Sequence, residues 1–79
     1  MATAQLTFDL NDPQDEVAHL RALKSLDMAL TLWDMDQYLR GQVKYGQLDE
    51  NVRKALDTTR DTLRQLMNNR SIDLDELLQ

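Results

Sequence analysis

From Pro13 to Tyr45 apolar residues recur at spacings of three and four, with no breaker before Gly41. That period predicts an amphipathic helix. Asn11-Asp12-Pro13 is a start signal: Asp12 caps, and Pro13 fits the first helical position because its missing N–H needs no partner. Asp15 and Glu16 suit the positive end of the helix dipole. Gly41 is a natural bend or early end. Val43 nevertheless continues the apolar spacing, and Lys44-Tyr45-Gly46 makes the better stop, with Gly46 expected in a left-handed conformation. Helix one therefore spans Pro13 to Tyr45, about 50 Å at 1.5 Å per residue.

A second period follows. Asp49 is the expected cap, and Val52, Ala55, Leu56, Thr59, Leu63, Leu66 and Met67 form one narrow apolar stripe. Arg53, Lys54, Asp57, Arg60, Asp61 and Arg64 fall on the other side, where Glu50–Lys54 and Arg53–Asp57 are spaced as helix ion pairs. Asn68 and Asn69 end the helix. Asp73 caps a last short helix holding Leu74, Leu77 and Leu78, too short to stand undocked. Upstream, Leu6-Thr7-Phe8-Asp9-Leu10 alternates apolar and polar, so an extended arm is expected to lay Leu6, Phe8 and Leu10 on helices of the same or a neighbouring chain. Residues 1–5 read as disordered, and residues 6–79 as a single helical domain.

Helix one is apolar on two sides. At 100° per residue, Ala22, Leu26, Ala29, Leu30 and Trp33 gather on one arc, and Met28, Leu32, Met35 and Leu39 on another. Helix two and the tail can cover one of them. The expected fold is all-α: a long N-terminal helix packed antiparallel with a second helix, a short C-terminal helix and an extended N-terminal arm. The spare face, Met28, Leu32, Met35 and Leu39, is the expected interface of a homo-oligomeric bundle. On that reading Met28→Asp or Leu32→Asp dissociates the assembly and Leu26→Asp unfolds the chain. Size points the same way: 79 residues without a cysteine have no disulfide to reinforce a small core.

Charge narrows the partners. Fourteen acidic residues against nine basic give a net charge of −5, which argues against direct nucleic-acid binding or an anionic membrane surface. No apolar run approaches the length of about 20 residues that spans a bilayer, and residues 1–5 do not resemble a signal peptide. The expected setting is cytoplasmic.

Little here suggests catalysis. His19 shares a helix side with Asp15, but one His and no Cys leave too few donors for a zinc site. Asp34-Met35-Asp36 lacks the glycine and the distal glutamate of a calcium loop. No glycine-rich loop occurs and no nucleophile is phased with His19. The expectation is a non-enzyme without cofactor or metal. The densest chemistry lies at the end of helix one. Arg40 and Lys44, four residues apart, can hold a phosphate or carboxylate, and Tyr38 and Tyr45 can stack or donate. Arg60 and Arg64 are the supporting cations. The bland alternative is that Arg40 and Lys44 neutralise the helix terminus and Tyr45 pins the turn.

The run Leu32-Trp33-Asp34-Met35-Asp36-Gln37-Tyr38-Leu39-Arg40, then Lys44-Tyr45, resembles one in small helical accessory proteins of tailed bacteriophages. Leu48 to Leu66 and the closing Ile72-Asp73-Leu74-Asp75-Glu76-Leu77 are similar in layout. The resemblance implies a phage protein acting in the host cytoplasm. Many such proteins counter host defence, some as oligomers that sequester nucleotide immune signals. The implied function is sequestration of a cyclic nucleotide or related phosphorylated ligand without catalysis. The alternative is an inhibitor or adaptor binding a host protein through an acidic or apolar helix face.

Overall fold

A computed structural model describes residues 1–79 as three helices in chain order, α1 (Pro13–Tyr45), α2 (Glu50–Asn69) and α3 (Leu74–Leu77), with no strand. The caps are those the sequence predicts. Asp12 accepts from the Gln14 amide, Asp49 from the Asn51 amide, and Asp73 from the amides of Asp75 and Glu76. α1 runs unbroken through Gly41. At its end Gly46 differs from expectation: it is extended, at φ −70°, not left-handed. Glycine is needed there for space, since a Cβ would lie 2.5 Å from the Gln42 carbonyl oxygen and 3.1 Å from Leu48 Cγ.

The four-residue connection folds α2 back antiparallel along α1. α2 has 20 residues against 33 in α1, so it lines only the C-terminal part of the longer helix. Every buried α1 residue, Ala29, Asp36 and Leu39, lies in that part, with Leu32 and Val43 half-buried beside them. These five fall on one helical face. The opposing face of α2 is Arg53, Leu56, Arg60, Leu63 and Met67, of which Met67 is buried and the others half-buried.

This seam is rotated from the apolar pattern of α2. Leu56, Leu63 and Met67 of the expected stripe face α1, but Val52, Ala55, Thr59 and Leu66 stay exposed. Arg53 and Arg60, expected on the wet side, take their place in the seam. Neither of the helix ion pairs Glu50–Lys54 and Arg53–Asp57 forms; both ion pairs present go to Asp36.

α2 ends in a turn that the two asparagines did not foretell. Ser71 is left-handed, at φ 56°. The Ile72 amide donates to the Met67 carbonyl at 2.9 Å and the Ser71 amide to that of Asn68 at 3.1 Å. This is a Schellman cap, with Ser71 where glycine is usual. It turns the tail so that α3 packs on α1.

The arm is extended without pairing as a strand. Phe8 alone packs, its ring centroid 5.4 Å from that of His19. The Asp15 carboxylate accepts the Asp9 amide at 2.9 Å. Asp15 and His19 thus tether the arm, while Leu6 and Leu10 stay exposed, against expectation. No helix is long and apolar enough to cross a membrane.

Candidate functional site

The most ordered polar chemistry sits at the middle of the seam. Asp36 lies in the apolar arc of α1 between Ala29 and Leu39 and is 6% exposed. A carboxylate there must be paired, because water no longer solvates it. Arg60 of α2 supplies the pair: its Nε donates to Oδ1 at 2.9 Å and its Nη2 to Oδ2 at 3.4 Å. Arg64, one turn on, brings its Nε to 3.5 Å from the same Oδ1. Burial works to raise the Asp36 pKa, but the hydrogen bond and charge of Arg60, with those of Arg64, outweigh it and hold the carboxyl below its ordinary value. The same hydrogen bond raises Arg60.

Arg60 and Arg64 are therefore not free to act together as an anion clamp. Arg60 is committed to Asp36. Arg64 is half free, with a side chain 54% exposed. Asp36 is the residue that the hydrophobic pattern failed to single out. The signal was available: it is the one charge among Ala29, Leu32, Leu39 and Val43 on the helical wheel.

Arg40 and Lys44 lie nearer the loop. They are exposed and unpaired, on the flank of α1 that also shows Trp33. Arg64 lines a cleft with Trp33, so its side of α2 is the same flank. Arg53 is phased with Arg60 and Arg64 along α2. Its Nη2 reaches the Gly46 carbonyl at 3.4 Å, and its buried Nε has no partner. One flank of the seam thus carries Arg40, Lys44, Arg53 and Arg64, with Asp57 of α2 phased among them.

Tyr38 and Tyr45 are exposed elsewhere. Tyr38 sits about 160° around α1 from Arg40, and Tyr45 about 100° from Lys44. Lys44 bends over the Tyr45 ring, with Nζ 5.6 Å from its centroid. The fold does not bring the six expected site residues into one pocket. It separates them into a seam pair (Arg60, Arg64), a flank pair (Arg40, Lys44) and two outward tyrosines.

The expected oligomer residues also divide. Met28 and Met35 are each 51% exposed, whereas Leu32 is half-buried and Leu39 is buried against α2. Leu39 is corrected to the intramolecular core: α2 lands on the edge of the stripe assigned to a partner. Leu26, Leu30 and Trp33, expected to be covered, are exposed.

A cleft of ≈ 530 Å³ opens between α1, the end of α2 and α3. Trp33, Met67, Ile72 and Leu74 give it an apolar floor, and Asp36, Arg64, Asp73 and Asp75 a mixed rim. It is wide and holds no His or Cys, and no three His, Asp or Glu side chains of the chain form a metal-holding group.

No family model, curated protein or solved structure matches this chain.

Proposed function

We propose that the chain is a non-enzymatic bacteriophage accessory protein, a helical homo-oligomer that sequesters a phosphorylated nucleotide signal of host defence in the host cytoplasm. The phage setting and the signal rest on the resemblance of the Leu32–Arg40 run. The observation that carries the ligand class is the cationic flank. In a chain of net charge −5, Arg40 and Lys44 stand unpaired beside Arg53, whose buried Nε lacks a partner. A phosphate is the acceptor such a flank suits. Arg40 and Lys44 supply the charge; Arg53, whose Nη2 is turned to the Gly46 carbonyl, and Arg64 are more distant cations. Tyr45 already meets the flank through the Lys44 ammonium over its ring, whereas Tyr38, facing away, joins this site only if a neighbouring copy brings it round.

Isothermal titration with a panel of cyclic mono- and dinucleotides tests the reading. Micromolar binding that Arg40→Glu or Lys44→Glu weakens at least tenfold is expected. No heat from any member at micromolar protein would sink it.

Exposed apolar surface favours a second reading, an inhibitor or adaptor that binds a host protein. Leu26, Leu30 and Trp33 stay exposed on the same flank of α1, toward its N-terminal end from Arg40 and Lys44. Patches of that kind mark interfaces. Affinity capture from infected cells separates the two: a stoichiometric host protein lost with Leu30→Asp, without a nucleotide response, favours this one.

A further inference from the structure

We infer that a second copy of this chain seats on the face where α1 shows Met28 and Met35 and α2 shows Val52 and Leu66, so that two helical hairpins close into a four-helix bundle. The inference rests on the proposed oligomeric binder and specifies the joining face.

The four side chains are about half exposed, at 51, 51, 46 and 49%. They lie on one side of the seam. Trp33 and Arg64 share the cleft on the opposite side, and in an antiparallel pair of right-handed helices this places Met28 and Met35 beside Val52 and Leu66. Leu32, half-buried at the edge of the seam, lies between the two pairs.

Three properties make a copy of the same chain the fitting occupant. First, the face is uncharged. No Asp, Glu, Lys or Arg of α1 between Met28 and Gln42, or of α2 between Val52 and Leu66, lies on it. Two chains of net charge −5 can meet there while their acids stay apart. An uncharged apolar face is also self-complementary, as a two-fold interface requires.

Second, its hydroxyls are already satisfied. Thr59 Oγ1 donates to the Ala55 carbonyl at 2.8 Å and Thr62 Oγ1 to that of Thr58 at 2.9 Å. Burying them orphans no donor.

Third, the chain has surface to spare. A compact 9.2 kDa monomer exposes about 4,900 Å² by the surface–mass relation; this chain exposes 6871 Å². With residues 1–12 discounted at their fully exposed value, a surplus of about 550 Å² remains over the whole chain. That is close to about 600 Å² per partner, the lower end of specific interfaces. The cationic flank remains outside the bundle.

Light scattering on the full chain, with circular dichroism alongside, is the test. The chain is expected at twice its 9.2 kDa mass at micromolar concentration. Met35→Asp and Leu66→Asp, on different helices, should each give a helical monomer, while Leu30→Asp keeps the dimer. Because the chain has no cysteine, single substitutions also report the face without a charge. Thr59→Cys should cross-link to dimer with a short bismaleimide and Leu30→Cys should not. A wild-type monomer overturns both this inference and the oligomeric part of the proposed function. An assembly that Leu30→Asp dissociates and Met35→Asp leaves intact, with Leu30→Cys cross-linking in place of Thr59→Cys, overturns the face alone.

Discussion

Arg60 grips Asp36 across the helix seam, with Nε 2.9 Å from Oδ1 and Nη2 3.4 Å from Oδ2, joining residues 24 apart in sequence. Removing one partner leaves the other charge in the seam uncompensated. Asp36→Ala is expected to cost about 2–4 kcal/mol in urea unfolding, somewhat less than breaking a fully buried pair because the Arg60 side chain keeps 19% of its surface exposed. Arg64→Ala, at 3.5 Å and more than half exposed, should cost under about 1 kcal/mol.

The same pair sets an acid response. The folded pKa of Asp36 lies below its ordinary value, so its contribution is complete above the unfolded carboxylate range and fades as pH falls through the folded pKa. Stability should therefore drop below about pH 4. In Asp36→Asn that drop should shrink, measured as the thermal midpoint against pH.

The two glycines should respond in opposite directions. Gly41 sits inside α1, and a Cβ added there would meet nothing within 4 Å, so Gly41→Ala should stabilise by about 1 kcal/mol. Gly46→Ala pushes a methyl against the Gln42 carbonyl and should destabilise by about 1–2 kcal/mol as the end of α1 shifts. Thermal denaturation of the two variants checks both signs.

Ser71 holds the left-handed position of the cap that aims α3 at α1. Left-handed backbone costs an L-residue about 1–2 kcal/mol. Ser71→Gly relieves that cost and loses part of the gain to unfolded-chain entropy, so a net stabilisation under about 1 kcal/mol is expected. Ser71→Val should lower the melting temperature.

Leu26 is 57% exposed, so Leu26→Asp should keep full helicity and not unfold the chain as the hydrophobic pattern suggested. Loss of the circular-dichroism signal would place Leu26 in a core that the single chain does not show.

The sequence by itself determined the elements. Asp12, Asp49 and Asp73 mark the three helix starts because capping is local chemistry, settled within a turn of each residue. It pointed to the antiparallel hairpin as well, since four residues between helices with apolar stripes bring the two stripes together when the second folds back. It did not determine which faces meet. α1 is apolar on both flanks, so its pattern selects neither, and the stripe of α2 fits either side of a small rotation. The tertiary structure decided that rotation by setting Asp36 opposite Arg60. This drew Arg53 and Arg60 into the seam, took Leu39 into the core, and left Met28, Met35, Val52 and Leu66 outside. Pairing across 24 residues is non-local, and helical period alone carries no record of it. The expected site divided for the same reason: Tyr38, Arg40, Lys44 and Tyr45 are neighbours in sequence, but α1 turns about 100° at each residue and points them in different directions.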